Sequence, residues 1–538
     1  MRRLTITVTV AMMLLPLLSP EASATTTDDP APAAVQEVGP GQYFSDTNTF
    51  KISELDVSEG VIGRQHGVVA AAGDLARPQS APATRPELAV FGPGWQAEFL
   101  GGAINRKLDV QNGAIVATEL ADGNSIRYTL KSSVSFPDGG GIQTYEDTTG
   151  SKITQTTKWD AAAGTMRTTM SEAVVVDPGA VEAGDDTFTD ANGNPVSAAD
   201  LKYTYAWAQP AGLQSTDTWR VTSVGTAAYG KSTVGYDSQG RIGTITEPAG
   251  AEAPETLLTF AYATTTTATG STLGDYAGRL KGITVTAGTD APQTLAGYAY
   301  DPSGLLRTVI DPSVGSTQAT YGYDEIGRLT SINSSTNGGW QLAFAAGTAA
   351  PTVTSTDADR PASDAPIAGA AFPDPTATGP PASDFVPDGI DPPQAYPKYC
   401  SGAKDWMWWT KIGCIAWAAH YGWHSPSWKR TASGFKVMGI NHDHCTQSPD
   451  RPSGFDFRPA CDSHDYGYGL IGNTYKHYKY YLDRSRKADV DSRFYITMRD
   501  KVCGGYFILL RPACRRIALV YWGFVRVKGN PKNGANAT

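Results

Sequence analysis

Cys461-Asp462-Ser463-His464-Asp465-Tyr466-Gly467-Tyr468 places a cysteine, a His-Asp pair and a tyrosine within a single short run. After Phe457-Arg458-Pro459-Ala460, this run reads as the opening turns of a helix. On a helix, Cys461, His464 and Tyr468 follow i, i+3, i+7 spacing and share one face. Asp465 then lies about 100° round from His464. One helix can therefore offer an imidazole to one chemical task and a carboxylate to the neighbouring one.

Working outward, Asn441-His442-Asp443-His444-Cys445 precedes a Pro/Gly-rich loop, Ser448-Pro449-Asp450-Arg451-Pro452-Ser453-Gly454-Phe455. Ala488-Asp489-Val490-Asp491-Ser492-Arg493-Phe494-Tyr495 opens a second helical pattern that ends near Cys503, and Ala513 to Val525 forms a last one. Asp405 to Tyr421 reads as a helix with Trp406, Trp409 and Trp417 on an apolar face, which suits a core or a membrane interface. The six cysteines (400, 414, 445, 461, 503 and 514) all fall in the last 139 residues. An even count in an exported chain reads as disulfides, and six cysteines allow 15 connectivities.

A length of 538 residues implies two or three domains. Residues 1–24 have the form of a signal peptide: Arg2 and Arg3, an apolar run to Leu18, then Ala22-Ser23-Ala24. The expected product is secreted and extracellular. Residues 25–42 are expected to be disordered. From 43 to 345 the chain is rich in Thr, Val, Gly and Tyr, with short alternating runs bounded by Gly, Asp and Asn, the pattern of many short strands. Within it Tyr236-Asp237-Ser238-Gln239-Gly240-Arg241-Ile242 recurs as Tyr300-Asp301-Pro302-Ser303-Gly304-Leu305-Leu306 and as Tyr323-Asp324-Glu325-Ile326-Gly327-Arg328-Leu329. Asp275-Tyr276-Ala277-Gly278-Arg279-Leu280 is a weaker copy. Each unit, over about 236–335, reads as strand, turn, strand. Residues 346–395 form a Pro/Ala-rich linker, and 396–530 a helical domain. The fold class expected is multidomain: an N-terminal all-β region of hairpins and a C-terminal all-α, disulfide-bonded domain.

The formal net charge of −9 hides an asymmetry. From Tyr396 onward the chain carries +12, and the remainder carries −21. A basic segment behind an acidic one suggests an anionic partner for the former, or attraction between the two.

The four blocks around the opening run resemble the secreted phospholipase A2 superfamily, most closely its small prokaryotic and fungal branch. The residues that carry the resemblance are Asp443-His444-Cys445-Thr446, the Pro449…Pro452…Gly454-Phe455…Phe457 loop, Cys461…His464-Asp465…Gly467-Tyr468, and Asp491-Ser492…Phe494-Tyr495…Met498…Val502-Cys503. The Tyr-Asp copies resemble the YD repeats of Rhs-type proteins. The first resemblance implies His464 as general base on water, with Asp491 as its orienting carboxylate. Asp489 is the alternative if the long segment before it shifts the helix. The resemblance also implies calcium held by the Asp443 carboxylate, the His444 backbone carbonyl and the Asp465 carboxylate. It pairs Cys445 with Cys461 and Cys503 with Cys514, leaving Cys400 and Cys414. Asp443, His442, His444 and Cys445 together also admit a zinc reading.

The implied activity is hydrolysis of the sn-2 ester of a phospholipid at a membrane or micelle surface, with no nucleic-acid partner. The acidic region is a possible intramolecular partner of the helical domain. Two alternatives stand beside this reading: a basic binding module without activity, and a toxin cargo acting on another anionic target. Ser463 departs from a family pattern in which a basic residue precedes the histidine. Asp301-Pro302-Ser303-Gly304-Leu305 resembles the self-cleavage signal of Rhs shells, though its place inside a repeat favours turn chemistry.

Overall fold

The structure, a computed structural model, describes residues 35–70, 78–111, 113–121, 123–175, 188–189, 195–196, 202–209, 219–250, 254–312, 316–334, 336–356, 402–408, 427–439, 444–445, 448, 450–471, 482, 486–506 and 510–529. The expected signal peptide, most of the linker, Asp443 and both Cys400 and Cys414 lie outside these residues.

Strand pairing begins with Val35–Val38, inside the segment expected to be disordered, because Val35 to Val38 pairs with Gly41–Phe44 across a tight turn. These strands, with Thr49–Val57, Ile62–Val69, Gln79–Ser80 and Trp95–Glu98, build one antiparallel sheet. From Arg106 to Ser355 the chain then runs as a single antiparallel meander that curls into a barrel, each strand pairing with the next. A small hairpin, Phe188–Thr189 with Pro195–Val196, interrupts the succession. The last strand, Pro351–Ser355, extends the sheet into the segment expected to be linker.

The Tyr-Asp copies are the turns of this meander. Asp237 Oδ1 accepts from the backbone N–H groups of Gln239 and Arg241, both at 2.9 Å. Asp301 does the same with Ser303 and Leu305, and Asp324 with Ile326 and Arg328. Between the two capped N–H groups of each turn stands a glycine, Gly240, Gly304 or Gly327, at φ between +75° and +79°, a conformation open to glycine without steric cost. The tyrosines act together in the same way. Tyr236 donates to Val221 O, Tyr262 to Ile242 O, Tyr300 to Leu280 O and Tyr323 to Leu306 O, at 2.6–2.8 Å. In each case the phenol ties the end of one strand to the strand before it. Asp301 therefore sits in the same turn as its counterparts, which is the turn chemistry expected from its place in a repeat. Asp147 repeats the pattern with Thr149 and Ser151, in a stretch where the sequence comparison of copies found none.

The N-terminal sheet packs against this meander. The buried Arg64 guanidinium pairs with Asp56 at 2.9 Å and donates to Tyr321 OH at 2.6 Å, and Trp95 Nε1 donates to Tyr323 OH at 2.8 Å.

The C-terminal domain carries four helices, α1 (Ala403–Met407), α2 (Arg458–Leu470), α3 (Lys487–Ile496) and α4 (Arg511–Lys528), among the described residues. A π-helical turn, Thr497–Val502, continues α3. The domain also holds a small hairpin, Ser427–Arg430 with Lys436–Gly439, beyond the all-helical expectation. Of the helix expected over Asp405 to Tyr421, the described residues show α1 ending at Met407 with Trp408 extended, and 409–421 lie outside them. Trp406 and Trp408 are both buried, and Trp408 Nε1 donates to Thr497 Oγ1 at 2.9 Å, so these two face the core. Trp409 and Trp417 lie outside the described residues.

The helices sit on the β region, and one apolar cluster runs through both. Ser492 Oγ donates to Ser58 O at 2.9 Å, and Tyr495 OH to Gly101 O at 3.3 Å. Arg499 pairs with Glu98 at 3.1 Å, Arg526 pairs with Glu247, and Arg511 lies 3.7 Å from Asp46. Phe524 meets Tyr229 edge to face at 5.7 Å. Among the described residues no helix is long and apolar enough to cross a membrane.

Candidate active site

Proline at the second position of α2 suits a helix start, since its missing N–H would have no partner there anyway. Every residue of α2 except Arg458 and Asp465 is buried. The helix packs against α1, α3 and the small hairpin, and Gly467 permits the approach. A Cβ at Gly467 would stand 2.6 Å from Val490 Cγ1 and 2.9 Å from Met407 Sδ.

That close approach brings His464 to Asp491. His464 Nε2 lies 2.9 Å from Asp491 Oδ1, with the two side chains 8% and 6% exposed. Tyr468 OH donates to the same Oδ1 at 2.9 Å. Lys487 Nζ donates to Oδ2 at 2.6 Å. Burial pushes the Asp491 carboxyl up, but Lys487 beside it and the hydrogen bond from His464 outweigh burial and hold it below the usual carboxylate range. An ionised carboxylate can only accept, so His464 Nε2 must carry the proton and donate. The lone pair of the neutral imidazole is then on Nδ1. The ring is packed between Tyr468 and Phe494, with centroids at 4.2 and 4.5 Å.

The structure thus assigns the two candidate carboxylates different places. Asp491 takes His464. Asp489 instead receives the Ala403 N–H at 2.7 Å and pairs with Arg493 at 3.2 Å, which ties α3 to α1. Lys487 is turned inward to Asp491. Its spacing of four from Asp491 on a helix was the available signal. Ser463 is buried and donates to Met407 O at 3.4 Å, a place where a long basic side chain would find no water.

Cys445–Cys461 joins the upstream loop to the first turn of α2, with Cα atoms 5.0 Å apart. Cys503–Cys514 joins the end of the α3 segment to α4. Both are pairings implied by the resemblance. With Cys445 oxidised, the thiolate that a zinc site would need is not there.

His444 adopts φ +56°, and its Nδ1 lies 2.7 Å from Asp462 Oδ1. Its hydrogen bond to Asp462 raises the imidazole pKa, and burial raises that of Asp462 against the pull of His444. Sequence reasoning gave Asp462 no role, and its partner explains why a carboxylate can be buried there. Asp462 engages the Nδ1 side of the His444 ring, and the backbone carbonyl is the oxygen that His444 would offer a hard cation. Asp465 is half-buried, one residue from His464 on the neighbouring face. An Asp443 carboxylate, a His444 carbonyl and the Asp465 carboxylate form an all-oxygen donor set of the kind a hard cation takes. The placement of Asp443 lies outside the described residues, and among those residues no group of three metal-capable side chains comes together.

Comparison with known proteins agrees with this layout. Residues 407–529 match the family described as prokaryotic phospholipase A2. Residues 300–338 match the RHS repeat, a segment that begins at Tyr300 and includes the Tyr323-Asp324 turn. A secretory phospholipase A2 from Arthroderma benhamiae is 37% identical over 94 residues, covering 16% of this chain and 57% of that protein. The chain thus spans little more than half the length of this curated relative.

Proposed function

We propose that the C-terminal domain is a phospholipase A2 that hydrolyses the sn-2 ester of glycerophospholipids, releasing a fatty acid and a lysophospholipid. The observation that carries this is the His464–Asp491–Tyr468 constellation, within the segment similar to that family. His464 Nδ1 takes a proton from water as the oxygen attacks the ester carbonyl. Asp491 keeps Nε2–H in place and stabilises the imidazolium that results, as the carboxylate does in Ser-His-Asp chemistry with water in place of serine. The imidazolium then returns the proton to the departing glycerol oxygen.

Asp443, His444 and Asp465 would hold calcium, which when bound polarises the ester carbonyl and favours negative charge on its oxygen. The substrate is met at a membrane or micelle surface, and the chain is secreted, a reading supported by the secretory relative. The ion pairs of Arg499 with Glu98 and of Arg526 with Glu247 support reading the acidic β region as the intramolecular partner of this basic domain.

The test is fatty acid release from phosphatidylcholine vesicles by the full chain, in calcium and in EGTA, for wild type and His464→Ala. Calcium-dependent release that the mutant loses supports the reading. A folded, oxidised wild-type protein that releases nothing overturns it.

A further inference from the structure

Lys487 is placed where neither the helix dipole nor solubility explains it. It is the first residue of α3, and a cation at a helix N-terminus faces the positive end of the dipole. Its side chain is only 19% exposed, so it also gives up most of its hydration. What it reaches accounts for both. Nζ donates to Asp491 Oδ2 at 2.6 Å and to the Val525 carbonyl at 3.2 Å. Val525 lies in the last turn of α4, where carbonyls point out of the helix and the dipole favours a cation. The ammonium therefore sits between a carboxylate and a helix C-terminus.

From this geometry we infer that Lys487 is a positioning residue for the hydrolytic centre, fixing Asp491 by its second oxygen so that the first faces His464 alone with Tyr468. The inference rests on the reading of His464 as base and adds to it a group whose inward turn only the structure shows.

The reason such a group matters is orientational. A carboxylate held only at Oδ1 by His464 and Tyr468 can still rotate about its Cβ–Cγ bond and exchange its oxygens. A second hydrogen bond at Oδ2, from a donor one turn back on α3 that is itself held by the Val525 carbonyl of α4, removes that freedom. The carboxylate plane is then set by three donors from two directions: His464 and Tyr468 on α2 at one oxygen, and Lys487 at the other. With the carboxylate fixed, the imidazole is held as the Nε2–H tautomer, and only that tautomer leaves Nδ1 able to accept a proton. Arginine at the same place would keep the charge and a donor but not the compact ammonium geometry.

Two measurements test this on the full-length, oxidised protein. The first is the steady-state kinetics of fatty acid release for Lys487→Met and Lys487→Arg, with thermal unfolding of each. The second is the His464 ring tautomer, read from imidazole nitrogen shifts with a His464→Gln control for assignment. Lys487→Met is expected to lower kcat about tenfold or more with KM little changed, to lower the unfolding midpoint while leaving a cooperative transition, since Asp491 keeps the His464 and Tyr468 donors, and to give a mixture of ring tautomers. Lys487→Arg is expected to recover part of both. A Met variant with the wild-type rate and a single Nε2–H tautomer overturns the inference. So does a loss of rate that follows a lost thermal transition while the tautomer stays single. If the wild-type chain releases no fatty acid, the phospholipase reading fails, and the ring-nitrogen spectra still decide the role of Lys487.

Discussion

His464 and His66 are both buried histidines, and their surroundings set them opposite tasks. His464 has a carboxylate on one nitrogen, with the other left for a proton from water. Asp491→Asn would keep the shape but present an amide that can donate to Nε2, favouring the wrong tautomer. The expected loss in kcat is on the order of 10³-fold or more, measured as fatty acid release at saturating substrate. Both ring nitrogens of His66 are buried without a hydrogen-bond partner among the described residues, and the ring packs edge-on to Trp95 at 5.0 Å. Burial, with the Arg64 charge nearby, lowers its pKa to about 3. The sign follows from linkage. The unfolded chain takes up this proton near pH 6.5 and the folded chain does not, so stability is full above that pH and falls as pH drops towards 3. The expected slope from His66 is about 1.4 kcal/mol per pH unit, and denaturant unfolding of His66→Phe between pH 4 and 7 should be flatter than that of wild type by this amount.

At the scale of elements, the site depends on how closely α2 and α3 approach. Gly467→Ala would drive a methyl to within 2.6 Å of Val490 and 2.9 Å of Met407. The helices must part, and a cost of roughly 1–3 kcal/mol in thermal unfolding is expected, with lower activity from a lengthened His464–Asp491 contact. The Cys445–Cys461 bridge closes 16 residues, so its removal is expected to cost about 3 kcal/mol and to weaken any calcium dependence of the rate, measured by titrating calcium against the Cys445→Ala/Cys461→Ala variant. Much at this scale was legible. The i, i+3, i+7 spacing put Cys461, His464 and Tyr468 on one face, and the Tyr-Asp copies located the meander turns. Other features were not. The strand at Val35–Val38 is a four-residue edge, too short to show alternation. The extended backbone at Trp408 follows from its place in the core against Thr497, a tertiary choice that an apolar periodicity does not encode. Lys487 was hidden for the same reason, since a charge near a helix start reads as surface until its partners are known.

Across the whole molecule, the helical domain is held to the β region by charge as well as by apolar packing. Arg526 donates to Ser232 Oγ at 3.0 Å and pairs with Glu247, whose side chain is 7% exposed. Arg526→Met would leave that carboxylate buried and unpaired, at a cost of roughly 3–5 kcal/mol. The expected readout is faster hydrogen exchange through α4 and through the strand Gly230–Tyr236, with the remainder of the meander unchanged. The acidic and basic halves visible in the sequence gave the sign of this contact, while the residues that make it, separated by hundreds of positions, could not be paired from sequence alone.

The tyrosine ties of the meander carry a direction in time. Each of the four phenols reaches back to the strand already laid down, from Tyr236 to Val221 through to Tyr323 to Leu306, and none reaches forward. A chain emerging from its N-terminus can therefore fasten each hairpin with residues it has already made. The meander can grow in small local steps, and the helical segment that follows it is delivered to a surface already built to receive it.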